Sequence, residues 1–448
     1  MFMKKKYIYL FLLFFFFGST AFIVLRYHLK HKPLVFYPLM ERKGIGAQSA
    51  EWASTKTTGE RLIRMVRDNE DDLKNRIGLA TLYIQEARIT GNNMYYDAAA
   101  LRYINEVLAK DQTHFEALTL KAMLYLSQHH FSDGLVLAQK AQQSNPYNAF
   151  VYGLLVDANV ELGNYEEAVK NSDQMVSIRP DIRSYSRISY LREIYGDYPG
   201  AIDAMKMAVE AGGYGDETTE WSRIQLARLY ENTGDIKASS MQYRIALNER
   251  PGYAYALAGL AHLALADKDY KKAIALYRKS DSTVSDYSFK EGLAQVFFSM
   301  GNTQMAERLM NTVIEGMTND AKKGAEDESV GHYADRELAH AYLFVKDYDK
   351  ALHHALAEYN RRPNNIDVNE TLAWVYFKKG DAQKAVSYID VALKTGSKNP
   401  TLLCRAGVIY AKTSQKAKGR RLLEEGLKMN AGVDVELKEE SKAALKRQ

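Results

Sequence analysis

The chain is poor in cysteine and proline and carries none of the common catalytic signatures. A single cysteine, Cys404, in 448 residues excludes an intramolecular disulfide framework and any CxxC zinc or redox site. Only 8 prolines leave long stretches in which nothing interrupts a helix. There is no HExxH, no GxSxG, no P-loop, and no GxGxxG in a strand–turn–helix setting. His129–His130, and His353–His354 with Glu358, have no foreseeable third metal ligand. The expectation is therefore a non-enzymatic chain with no cofactor and no metal. Its 46% hydrophobic and 26% charged residues exclude a disordered tail, a collagen and a multi-span membrane protein.

Acidic residues are missing from one region only. Met1 to Lys32 holds Lys4, Lys5, Lys6, Arg26, Lys30 and Lys32 and no acid, whereas the whole chain sums to +5. The remaining residues are thus nearly neutral, at −1. A near-neutral body speaks against general phosphate-backbone binding, so no nucleic-acid partner is expected. Within the basic region, Tyr7 to Leu25 is uncharged for 19 residues, almost enough to cross a hydrocarbon core of roughly 30 Å as a helix. Two readings stand. One is an uncleaved signal anchor, favoured because Phe22 to Leu25 prolong the apolar run. The other is a signal peptide cut near Ala21, after the small residues Ser19 and Thr20. Both put the body outside the cytoplasm, periplasmic or at the cell surface when anchored and secreted when cleaved. Residues 33–71 read as a tether and a leading helix, with no sustained period from Pro33 to Thr58.

Beyond the tether the chain repeats itself. The turns GNYEEA at Gly163, GDYPGA at Gly196, GDIKAS at Gly234 and GDAQKA at Gly380 each lie between two helical apolar patterns. Related turns occur at Asp267, Gly301 and Lys346. Placing repeat starts at Phe115, Ala149, Ile182, Glu220, Ala254, Tyr287, His332, Ile366 and Pro400 gives steps of 34, 33, 38, 34, 33, 45, 34 and 34 residues. Small residues such as Ala122, Ala227 and Ala339 recur where two helices must approach. Large ones such as Tyr230, Tyr243 and Tyr342 recur beside them. Proline recurs between repeats, at Pro146, Pro251 and Pro363, where no amide donor is needed.

This pattern closely resembles the tetratricopeptide repeat, of a bacterial exported or membrane-anchored type. The resemblance implies an all-α, right-handed superhelical solenoid of about nine to ten antiparallel helix pairs over residues 72–430. An earlier repeat starts near Leu73, with extra residues around Thr90 to Tyr96. Thr318 to Ser329 read as an insert and a flexible joint. Repeat ten carries Gly419 and Gly426 where alanine is usual and is expected to be the loosest pair. Residues 431–448 read as a charged capping helix over the last apolar face.

The resemblance also implies a ligand groove on the concave face, lined by the first helix of each repeat. Its position 9 reads Met123, Asp157, Tyr190, Arg228, His262, Gln295, His340 and Trp374. Positions 5 and 6 add Arg187, Glu291, Arg336, Glu337 and Glu370, and position 2 adds Trp221, Tyr255 and Tyr333 among others. Aromatic and Arg side chains are the usual anchors of a peptide interface. The groove candidates are therefore Asp157, Arg187, Tyr190, Trp221, Arg228, Tyr255, His262, Arg336, His340 and Trp374. The bland reading is a solvated helix face whose Arg and Glu pair with each other. The functional expectation is a protein–protein interaction scaffold at the cell envelope that holds a partner segment. The alternative is a glycan or other small-ligand binder that stacks sugar rings on Trp221, Tyr255, Tyr333 and Trp374.

Overall fold

The structure is a computed structural model and describes residues 7, 9–10, 13–22, 37–69, 71–326, 331–429 and 434–446. The chain forms two compact bodies, Met1–Met40 and Glu41–Gln448. In the first, residues 13–22 are helical and the Phe14 to Phe17 side chains are exposed. Among the described residues no helix is long and apolar enough to cross a membrane. The anchor expected over Tyr7 to Leu25 falls partly outside them.

The second body has no strand among its described residues and contains ten antiparallel helix pairs. Helix A of successive repeats spans Leu73–Thr90, Phe115–Ser127, Ala149–Leu162, Ile182–Ile194, Glu217–Asn232, Ala254–Ala266, Tyr287–Ser299, Asp335–Phe344, Ile366–Lys378 and Pro400–Ala411. Helix B spans Asn93–Lys110, Phe131–Ser144, Tyr165–Ile178, Tyr198–Glu210, Ile236–Glu249, Tyr270–Asp281, Thr303–Glu326, Tyr348–Arg361, Ala382–Ala392 and Lys416–Met429. Seven of the nine expected starts coincide with the first residue of a helix A. The other two, Glu220 and His332, each miss by three residues.

The repeated turn explains the pairing. Its aspartate starts helix B by accepting the amide three residues on, as in Asp235 to Ala238 at 2.9 Å and Asp381 to Lys384 at 2.9 Å. One turn later a small residue meets helix A. Ala273, Ala351 and Ala385 are fully buried, as are their partners Ala261, Ala339 and Ala373 on helix A of the same repeats, and Ala168 and Ala201 are buried at the equivalent place in repeats three and four. Such positions admit no larger side chain without displacing a helix.

Several expectations need correction. Residues 50–58 are not tether: they belong to the helix Ala50–Asp68, capped by Ser49 and anchored by buried Trp52. Arg42 binds Glu86 through two hydrogen bonds, of 2.9 and 2.5 Å, so the leading segment is tied to repeat one. The extra residues around Thr90 to Tyr96 lengthen the two helices of repeat one and leave only Gly91 and Asn92 between them. Residues 318–326 of the supposed joint continue helix B of repeat seven, with Asp320 accepting the Tyr287 hydroxyl at 2.7 Å; residues 327–330 lie outside the described residues. Repeat ten is tight, not loose. A Cβ on Gly419 would stand 2.8 Å from the Ala411 amide nitrogen, so glycine permits an approach alanine would block. The terminal helix Val435–Lys446 buries Leu437 and gives Glu440 to Lys378 at 2.7 Å.

One feature has no counterpart in the repeat pattern. The superhelix is wound so that each turn touches the next, about 200 residues on. The turn between helices A and B of a repeat meets the loop that precedes the repeat six places later. Ser285 donates its amide to the Thr90 carbonyl at 3.1 Å. The rings of His129 and His130 bond the carbonyls of Tyr333 and Gly331 at 2.9 and 2.7 Å. Asn365 bonds the Glu161 carbonyl at 3.0 Å, and the Tyr165 hydroxyl accepts the Ile366 amide at 2.9 Å. Gly163 and Gly196 have positive φ here and lie against Asn364 and Gly396. Ion pairs reinforce this seam: Arg250 with Glu51 at 2.9 Å, and Arg362 with Glu161 and Glu358.

Candidate functional site

Contact between turns converts the expected open groove into a set of interior cavities. Helix A side chains of the early repeats face those of the late repeats across this interior. Three cavities of about 500, 320 and 170 Å³ and a chamber of about 640 Å³ share walls. These volumes suit a side chain or a short segment of a ligand.

The groove candidates are distributed among them. Asp157, Arg187, Tyr190 and Arg336 meet in the 500 Å³ cavity, which reaches the seam at Glu161 and Arg362. Arg187 is committed there, donating to Asp157 at 2.8 and 2.5 Å and to the Gly153 carbonyl at 3.1 Å. Tyr190 and Arg336 also border the 320 Å³ cavity, with His340. Arg336 leaves its buried Nε without a hydrogen-bond partner. Burial works against its cation, but Asp367, Glu337, Glu370 and Glu161 outweigh burial and keep it charged. His340 accepts or donates at 3.1 Å to Thr371; burial, with Arg405 and Arg336 nearby, holds its pKa well below the usual range, so it is neutral.

Trp374 borders the smallest cavity but is only 6% exposed. Phe377 stacks on it, and Lys378 and Arg405 lie 4.7 and 5.3 Å from its ring centre, so it offers no open platform to a sugar. Tyr333 is taken up by the seam, stacked on His130 at 4.1 Å. Arg228 and His262 line none of these four cavities. Arg228 reaches over Trp221 at 5.9 Å, and His262 bonds Glu231 at 2.9 Å.

Trp221 and Tyr255 come together in the chamber, edge to face at 5.1 Å. Met94, Met123 and Met317 add flexible apolar walls, and exposed Asn93, Ser127 and Ser288 form a polar rim. Arg88 stands 5.7 Å over Trp221 and pairs with Glu217 at 2.6 Å. Burial, then the charges of Glu337 and Asp286, push the Glu291 carboxyl up to about 7. Burial alone pushes Asp97 up to about 7 against one hydrogen bond from Gln128. Burial and the neighbouring His129 lower His332, leaving it uncharged.

Repeat spacing missed Arg88 and Arg362, and the candidate set left out Asp367 and Glu161, although they fall at groove positions 2 and 13. Arg88 sits late on the lengthened first helix, beyond the reach of the 34-residue register. Arg362 follows helix B, where there is no concave position. Among the described residues no group of three or more His, Cys, Asp or Glu side chains is placed to hold a metal ion. His354 instead bonds Asp335 at 2.6 Å, while Glu358 is held by Arg361 and Arg362.

No curated protein matches the chain. A thermophilic tetratricopeptide-repeat protein from Thermus thermophilus is 20% identical, covering 40% of this chain and 92% of that one, with a TM-score of 0.35. PilW, a widely conserved type IV pilus biogenesis factor, is 15% identical over 46% of this chain and 94% of its own, with a TM-score of 0.38. A tetratricopeptide-repeat protein from Parabacteroides merdae is 17% identical over 59% and 98%, with a TM-score of 0.33. The tetratricopeptide repeat family model matches residues 224–287 and 336–400 directly. The chain thus carries tetratricopeptide repeats over these two stretches, within an all-helical array of pairs of the same construction.

Proposed function

We propose that this chain is a non-enzymatic scaffold that binds a short segment of a partner protein inside its superhelix, with the Trp221 chamber as the main anchor site. The observation that carries the reading is the chamber itself. It joins an accessible aromatic corner, three methionines and a polar rim in one cavity of about 640 Å³. Aromatic anchors seated in a pocket supply most of the energy of a typical peptide interface. Tetratricopeptide repeats generally serve protein–protein interaction, which agrees with it. The test is selection of a random heptapeptide library on the full chain and on a Trp221→Leu/Tyr255→Leu variant. A common motif recovered with the first and lost with the second is expected. Absence of any enriched motif, or equal enrichment on both, would refute the chamber as the anchor.

The cell envelope is the proposed location, with Tyr7 to Leu25 as an N-terminal anchor. The support is the 19-residue uncharged run between two lysine-bearing flanks. Mass spectrometry of the N-terminus of protein taken from membranes decides between the two forms. An intact Met1 to Lys32 fits the anchor, and a start at Phe22 fits an exported soluble protein.

A further inference from the structure

We propose that the Trp221 chamber recognises a cation, the ammonium or guanidinium of a Lys or Arg side chain carried on an apolar segment of the partner. This rests on the scaffold reading above and specifies the chemistry of its ligand.

Charge complementarity is the ground. Six carboxylates line the chamber, from Asp97, Glu217, Asp286, Glu291, Asp320 and Glu337, against a single cation, Arg88. Arg88 is already spent on Glu217 at 2.6 Å. His332 is neutral and adds no positive charge. Three of the carboxylates have local donors: Asp320 accepts the Tyr287 hydroxyl at 2.7 Å, Asp286 the Ser288 amide at 2.9 Å, and Asp97 the Gln128 side chain at 3.3 Å. Two are left facing the space. Glu337 keeps a buried Oε2 with no hydrogen-bond partner, although the charge of Arg336 nearby favours its ionised form. Glu291 is acted on only by burial and by the like charges of Glu337 and Asp286.

A buried carboxylate short of donors is costly, and a second one near it costs more, because charges interact strongly where water is scarce. An entering cation would cancel this repulsion and supply the missing donors. A phosphate or an acidic side chain would raise it. A neutral hydroxyl ligand would leave it in place. The remaining walls fit the same guest. The Trp221 and Tyr255 rings offer π-faces and edges to a cation, and Met94, Met123 and Met317 accept the apolar stem and its neighbours.

The test uses the full chain and isothermal titration at pH 7.5. Heptapeptides enriched on the chain are resynthesised with their basic residue kept, or replaced by glutamine or glutamate. Enriched sequences should contain Lys or Arg. The basic forms should bind at least 10-fold more tightly than the glutamine forms, and raising salt should erode that advantage. The Glu291→Gln/Glu337→Gln variant should lose at least 10-fold affinity for the basic peptide and none for the glutamine form. Both substitutions are isosteric; Glu291→Gln relieves repulsion, Glu337→Gln leaves Arg336 the charges of Asp367, Glu370 and Glu161, and the salt dependence of the unmodified chain is a second reading that needs no variant. Enriched peptides without a basic residue, or equal binding of all three forms, would overturn the cation inference and leave the scaffold reading standing. Absence of any enriched peptide would refute the scaffold reading itself. Spermidine bound as tightly as the basic peptide would overturn the peptide as the cation's source.

Discussion

Arg362 offers the sharpest test of contact between superhelical turns. It follows helix B of repeat eight, and its side chain is only 5% exposed. It joins Glu358, 3% exposed, to Glu161 on helix A of repeat three, and it lies 4.6 Å over the Phe131 ring of repeat two. Arg362→Met keeps the stem and removes the cation. Breaking a buried pair by removing one partner costs about 3–5 kcal/mol. The lower end applies here, because Glu358 keeps Arg361 at 3.1 Å. The cost should also fall with pH. Burial already raises the Glu161 carboxyl, and Arg362 opposes that rise. Without Arg362 the carboxyl takes up a proton more readily, so the variant should lose less stability at pH 5 than at pH 8.

The decisive number is the coupling between Arg362→Met and Glu161→Gln in a double-mutant cycle, read from urea unfolding. Residues sharing an ion pair couple by roughly 0.5–3 kcal/mol. In an array where each repeat touches only its neighbours, repeats three and eight are independent and the coupling is zero. A value within about 0.3 kcal/mol of zero would refute the seam.

Further outcomes follow from particular residues. Gly163 and Gly380 share a positive φ, but a Cβ on Gly163 would lie 2.3 Å from the Asn364 carbonyl carbon whereas Gly380 has open space around it. Gly380→Ala should cost about 1–2 kcal/mol and Gly163→Ala about 1–3 kcal/mol more; equal denaturation midpoints would contradict contact between turns. Asp97 holds its proton more tightly in the folded state, with a pKa of about 7 against an ordinary 3.8, so its contribution is full below 3.8 and is lost as pH rises through 7. Asp97→Asn should therefore stabilise the chain at pH 8, by up to about 4 kcal/mol, and change little at pH 3.5; equal gain at both would disprove it. Arg42→Met strips the partner from Glu86, which is 2% exposed, and should free the Ala50–Asp68 helix to trypsin before any other part of the second body. Earlier cleavage at Lys322 or Lys323 would restore the flexible joint that the continuous helix denies.

The chemistry inside the superhelix is only partly legible in the sequence. Trp221 and Tyr255 follow from their register, because position 2 of helix A faces inward whatever the curvature. Trp374 follows too, but its neighbours Lys378 and Arg405 cover it, and that depends on how the last repeats pack. Arg88 escapes the register because repeat one has longer helices than its successors. Glu291 and Glu337 fall on the concave face by spacing, yet nothing in that spacing shows that one chamber holds both beside Asp97.

The sequence by itself determined the helix pairs. An alanine one turn into helix B, a small residue opposite it and an aspartate at the helix start are local demands. They act within about 34 residues, so they print a period that can be read directly. Only the tertiary structure decided that the array closes upon itself. The small rotation at each junction adds up over six repeats, and a modest change at any one would move Glu161 away from Arg362. No single spacing encodes that sum, which is why the seam, the cavities and the acid-lined chamber emerge only once all the repeats are stacked.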